Sequence, residues 1–150
     1  MRAIAALSVF ISFAPLPSVA QAPVQLDPFG QATRGLPACP IVSPRLYTPD
    51  EMRTEAHARA ERGTRCALEG TCEPGGAYKR DGEINEHVRA EIAADPRFAY
   101  TAVWVTTSRK WVTLKGCVRN KAQQKALVEL ARHQAYVERV FDDLTVRRER

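Results

Sequence analysis

Two alternating stretches on either side of a short polar turn constrain this chain more than anything else in it. Tyr100 to Thr107 and Trp111 to Val118 each alternate apolar and polar residues, the period of a strand with one buried face. A two- or four-residue turn around Ser108-Arg109 joins them into a hairpin and sets Val103 opposite Leu114 and Val105 opposite Val112. The same register places Trp104 opposite Thr113 and Trp111 opposite Thr106, all on the other face. One face is uniformly aliphatic, and a slip of one residue would turn it to water, so the pattern specifies the register.

The flanking segments complete a module. Asp81 is placed to cap a helix whose apolar face is Ile84, Val88 and Ile92. That helix ends by Asp95, because Pro96 disfavours helical geometry in the residue before it. Asn120 opens a second helix, with Gln123 at the capping-box position and Leu127, Leu130, Ala131 and Ala126 as its apolar side. A last strand carries Val140, Leu144 and Val146 on one face and Phe141 and Thr145 on the other. The expected fold class is α+β: an α-β-β-α-β module with two helices on one face of a three-stranded mixed sheet. A right-handed crossover brings the last strand in parallel to the second.

An extended arm and one disulfide-stapled helix precede the module. Six of the ten prolines fall between Pro23 and Pro49, so residues 21–47 read as an extended Pro-rich arm rather than a packed element. A helix starts at Thr48, with Pro49 at its first position and Glu51 completing a capping box. It runs to about Arg62 and stops at Gly63, and its apolar stripe of Met52, Ala56 and Ala60 is thin. Cys72-Glu73-Pro74-Gly75-Gly76 reads as a hinge. The helix and disulfide loop therefore occupy residues 48–78, and the module residues 79–150.

At the start of the chain, Arg2 precedes an apolar run from Ala3 to Ala14, then Pro15, Pro17 and Ser18-Val19-Ala20. A basic start, a short apolar stretch and a small-x-small site describe a secretory signal peptide, residues 1–20. The run is too short to span a bilayer, so no transmembrane segment is expected after cleavage. The expected location is periplasmic or secreted. Lys and Arg total 22 against 17 Asp and Glu, a net charge of +5, with one basic cluster at Arg147, Arg148 and Arg150. This mild excess suits anionic head groups or acidic partners. Nucleic acid is not expected for an exported protein.

The four cysteines, Cys39, Cys66, Cys72 and Cys117, form an even set in an oxidising compartment and allow three disulfide connectivities. Cys66 and Cys72 flank the turn-like Glu69-Gly70, which pairs them and leaves Cys39 for Cys117. Chain-entropy reasoning gives the short bridge roughly 2–3 kcal/mol and the long one roughly 4–5. The rival arrangement is a zinc site of Cys39, Cys66, Cys72 and His57, but five residues separate the close cysteines where structural zinc uses two to four. No cofactor or metal is expected. His57, His87 and His133 fall on separate helices with no Ser or Cys motif beside them. Asp142 and Asp143 are adjacent strand residues that point to opposite faces. Nothing therefore assembles a catalytic constellation.

The module resembles the BON domain family (bacterial osmotically inducible protein and nodulation). The residues that carry the resemblance are Asp81-x-x-Ile84-x-x-x-Val88, Asp95-Pro96, Val103-x-Val105, Val112-x-Leu114-x-Gly116-x-Val118 and Val137-x-x-Val140-x-x-x-Leu144-x-Val146. Together they span about residues 80–147. Gly116 fits a strand position where the backbone bulges or is closely approached. One departure is Tyr136, where the family usually has glycine before the last strand. The resemblance implies an exported or envelope-associated module that binds surfaces, lipids or proteins and does not catalyse.

Trp104, Trp111, Lys115, Phe141 and Cys117 should all point to the sheet face that the helices leave open. Two tryptophans exposed there would make an interaction patch. In the alternative arrangement the arm, pinned by Cys39–Cys117, covers them, and binding shifts to the basic ends near Arg119 and Arg147. The expected function is non-catalytic contact with phospholipid or envelope surfaces through Trp104, Trp111, Lys115, Arg119 and Phe141. The alternative is a structural accessory docking onto a periplasmic or secreted protein partner. A thiol-dependent enzyme, a third class, requires a free reactive cysteine.

Overall fold

The computed structural model describes residues 22–147. Residues 1–21, which hold the expected signal peptide, and the last three residues, Arg148 and Arg150 among them, lie outside the described residues. The elements in chain order are β1 (Val24–Gln25), β2 (Phe29–Arg34), β3 (Leu46–Tyr47), α1 (Pro49–Leu68), α2 (Asp81–Ala94), β4 (Ala102–Ser108), β5 (Trp111–Val118), α3 (Lys121–Arg132) and β6 (Arg139–Val146). A short 3-10 turn, Pro96–Phe98, links α2 to β4.

From α2 to β6 the order is α-β-β-α-β, with β4 and β5 antiparallel and β6 parallel to β5. The aliphatic side of the sheet meets the helices. Ile84, Val88 and Ile92 of α2, Val103 and Val105 of β4, Val112, Leu114 and Val118 of β5, and Leu127 and Ala131 of α3 all exclude water, joined by Phe98 and Leu144. Burying such a side chain contributes about 1.5–3 kcal/mol relative to leaving it in water, so this cluster is the main source of the module's stability. Asn85 adds a polar tie. Its buried amide donates to the carbonyls of Val105 at 3.0 Å and Pro28 at 3.1 Å, fixing α2 to both β4 and the arm.

Four features differ from the sequence-based expectations. The hairpin turn is the two-residue one, and it holds only Arg109 and Lys110, both at positive φ (57° and 62°). Ser108 therefore faces Trp111, Val105 faces Leu114, Thr107 faces Val112 and Trp104 faces Lys115. The expected pairs of Val103 with Leu114, Val105 with Val112, Trp104 with Thr113 and Trp111 with Thr106 are replaced by a register two residues away, which keeps every side chain on its expected face.

The reason lies in Asp81. It does not cap α2, whose N-cap is Arg80. Its buried carboxylate instead accepts the backbone N–H groups of Arg109 and Lys110, each at 2.7 Å. Burial pushes the Asp81 carboxyl above the usual aspartate range, and the two amide bonds counter this only in part.

The arm is also more than an extended tether. Its segment β2 pairs antiparallel with β4, giving a four-stranded sheet of order β2-β4-β5-β6. β1 and β3 form a separate small ribbon. Finally, α1 passes through Gly63 to Leu68. Gly63 is not a stop but a point of close approach, since a Cβ on the facing Gly76 would sit 3.1 Å from the Gly63 Cα. The N-terminal end of α1 is as expected: Thr48 accepts from the Glu51 amide, and Glu51 accepts from the Thr48 amide at 2.9 Å.

Gly116 marks the tightest backbone contact of the sheet. Its φ is +126°, and a Cβ there would lie 2.0 Å from the carbonyl oxygen of Ala102. The closest atoms are main chain of Ala102, which cannot give, and the buried Trp104 ring lies 3.1 Å away. Gly116→Ala should therefore cost at least about 3 kcal/mol in a denaturant melt, combining left-side strain with a main-chain clash; a loss below about 1 kcal/mol would contradict this packing.

Candidate functional site

The face of the sheet opposite the helices divides into two parts. At one end Trp104, Ala102 and Cys117 lie under the arm, packed with Leu36 and Cys39, while Phe29 and Val42 close the sides. The disulfide Cys39–Cys117, spanning 78 residues of sequence, ties the arm down over this end. Trp104 is only 6% exposed. The expected role of Trp104 as a surface contact is therefore corrected: its indole is a core group of a second, smaller cluster.

Towards the hairpin end of the same face lies a second aromatic group, the half-buried Trp111. Register puts Trp111 at the first position of β5, beside Arg139 of the parallel strand β6. Phe141, two residues along β6, meets the Trp111 ring edge-on, with centroids 5.8 Å apart. Two guanidinium groups flank the indole: Arg109 lies 4.0 Å from the ring centroid and Arg139 5.1 Å. Among the described residues neither arginine forms an ion pair, so their charges face the rings. Such stacked cations are worth about 0.5–1 kcal/mol each at an exposed site and hold the rings in one orientation. Phe141 remains 39% exposed.

The other site residues of the sequence analysis fall around this cluster unequally. Lys115 is on the same face, exposed, with its ammonium 3.8 Å from the Asp143 carboxylate. Arg119 follows the far end of β5, with its guanidinium 4.7 Å from the Tyr100 ring centroid; β5 separates it from Trp111. The structure thus brings Trp111 and Phe141 together, sets Lys115 on the same face four residues along β5, buries Trp104 and sets Arg119 apart. It adds Arg109 and Arg139, which sequence reasoning missed. Only the two-residue turn brings Arg109 beside the indole, and only the parallel register brings Arg139 there.

Behind Trp111 a cleft of about 300 Å³ opens between the hairpin turn and the loop stapled by Cys66–Cys72. Arg65, Lys110 and Glu138 are among its lining residues. Lys110 is satisfied there by Glu138 at 3.3 Å. His57 pairs with Glu61 on the exposed side of α1. Among the described residues no group of three or more His, Cys, Asp or Glu side chains could hold a metal, and all four cysteines are in disulfides.

Tyr136, at the position where glycine was expected, keeps the left-handed backbone with φ of 66°. Its ring stacks with Arg80, whose guanidinium is 4.0 Å from its centroid.

Residues 80–148 match the family model of the BON domain, and this part of the chain is a BON domain. No curated protein matches the chain. No helix among the described residues is long and apolar enough to cross a membrane.

The covered end makes a direct prediction. In a Trp111→Phe background, Trp104 should emit as a buried indole and resist iodide quenching. Replacing Cys39 and Cys117 by serine should expose it to iodide and cost about 4 kcal/mol of stability, the loop-entropy value for a bridge of this span. Equal quenching with and without the bridge would show that the arm does not cover Trp104.

Proposed function

We propose that this protein acts outside the cytoplasm as a non-catalytic binding module, and that it contacts anionic phospholipid at the envelope through the open end of its sheet. The observation that carries this reading is the partly exposed Trp111–Phe141 pair, flanked by Arg109 and Arg139. Aromatic rings that are apolar in body and polar at one edge settle at the boundary between head groups and acyl chains. Cations beside them add roughly 1 kcal/mol each near an anionic surface. Lys115 lies close enough on the same face to contribute a third charge. The BON domain supports the ligand class, and two disulfides support an oxidising compartment.

Binding rather than catalysis is also the reading that suits the residues present. The cluster offers stacking and charge, with no nucleophile or general base in contact with it.

Co-sedimentation with vesicles tests the proposal. Binding to phosphatidylglycerol vesicles should exceed binding to phosphatidylcholine vesicles and should fall as salt rises. Trp111→Ala or Arg139→Ala should each weaken it about fivefold, the equivalent of roughly 1 kcal/mol. Trp104→Phe, a change beneath the arm, should leave it unchanged. Absence of binding at low salt, or binding indifferent to Trp111 and Arg139, would refute the lipid reading and favour docking onto a protein partner.

A further inference from the structure

The two edges of the sheet are treated differently. β2, at one edge, has six residues and a register irregularity between Gln31 and Thr33, a device that discourages a further strand from pairing. β6, at the other edge, has eight residues, contains neither Gly nor Pro, and runs in unbroken register along β5. Its outer edge carries no strand among the described residues; the Leu144 backbone is met there by the Asp142 carboxylate and the Gln124 amide, and Arg139, Phe141, Asp142, Asp143 and Thr145 along it are exposed.

The charges on this edge are self-complementary. Arg139, Phe141 and Asp143 share one face of β6, with Phe141 midway between opposite charges. A two-fold axis through Phe141 would set a second β6 antiparallel to the first, with Arg139 of each copy opposite Asp143 of the other and the two Phe141 rings side by side. Neighbouring registers do worse. Centring on Asp142 or Asp143 places like carboxylates against each other, and centring on Val140 sets Glu138 against Asp142. Neither charge is tightly paired: Arg139 stacks on the Trp111 and Phe141 rings without an ion pair among the described residues, and Asp143 has only its long, exposed contact with Lys115.

We propose that β6 is a self-association edge, joining two copies of this chain by an isologous antiparallel pairing centred on Phe141. The result is one continuous eight-stranded sheet. Its open face carries two Trp111 clusters, one on either side of the axis, so that a surface met by one copy is met by both. The pairing stands on the charge pattern of the edge and does not depend on what those clusters bind.

Sedimentation equilibrium without lipid, at low salt, tests it. The protein should show a concentration-dependent monomer–dimer equilibrium. Arg139→Asp and Asp143→Arg should each weaken dimerisation at least about tenfold, since each sets like charges opposite one another twice across the axis. The charge-swapped double variant Arg139→Asp/Asp143→Arg should return to within about threefold of the original constant, a rescue that general damage to the fold would not give. A chain that stays monomeric at its solubility limit, single variants that dimerise as well as the parent, or a double variant that fails to recover would each overturn the proposal.

Discussion

One buried carboxylate sets the geometry on which the rest depends. Asp81, at the first position of α2, receives the N–H groups of Arg109 and Lys110 at 2.7 Å each. Both turn residues adopt left-handed backbone, which costs a residue with a Cβ roughly 1–2 kcal/mol. Two-residue hairpin turns normally meet that cost with Asn-Gly or Asp-Gly. Here two amide bonds to a charged acceptor, each worth about 1.5–3 kcal/mol, outweigh the strain, so an Arg-Lys pair can hold a turn for which it has no intrinsic preference. The helix start and the hairpin tip, distant in sequence, become one rigid corner.

That corner determines what each end of the sheet presents. With a two-residue turn, Ala102 faces Cys117, and the disulfide to Cys39 draws the arm over Trp104. The same turn puts Trp111 at the very end of β5, with Arg109 folded onto its ring. A four-residue turn would have set Trp111 opposite Thr106 rather than Ser108. Covered core and open patch on a single sheet face are thus two consequences of one register. The stapled helix α1 attaches beside this corner, although none of its own residues is buried. It is held by the Arg59–Asp27 ion pair at 2.6 Å and by the stacking of Arg59 on Tyr78.

Much of the module could be read from the sequence because its information is periodic. Ile84, Val88 and Ile92 recur at helical spacing. Val103, Val105, Val112 and Leu114 alternate, and each lands in the core. Thr48 with Glu51 is a local cap that needs no tertiary partner. What the sequence hid was contact between distant segments. Phe29 to Arg34 has too few large apolar residues to announce a strand, yet β4 supplies the hydrogen bonds and α2 the cover. Asp81 looked like a cap because caps and turn clamps use the same side chain. Gly63 looked like a stop because close approach by Gly76 leaves no trace in local pattern. The open face divided for the same reason: whether an aromatic residue is covered depends on where another segment travels, and Trp104 and Trp111 are indistinguishable on that point from their neighbours alone.

The role given to Asp81 can be measured at the two amides themselves. Hydrogen exchange of the Arg109 and Lys110 N–H groups, followed by NMR, reports whether they are bonded although they sit at a hairpin tip. The structure predicts exchange at least about a hundredfold slower than for a free amide, with that protection lost in Asp81→Ala. Free exchange at both positions in the unsubstituted protein, or protection that survives the alanine variant, would contradict it.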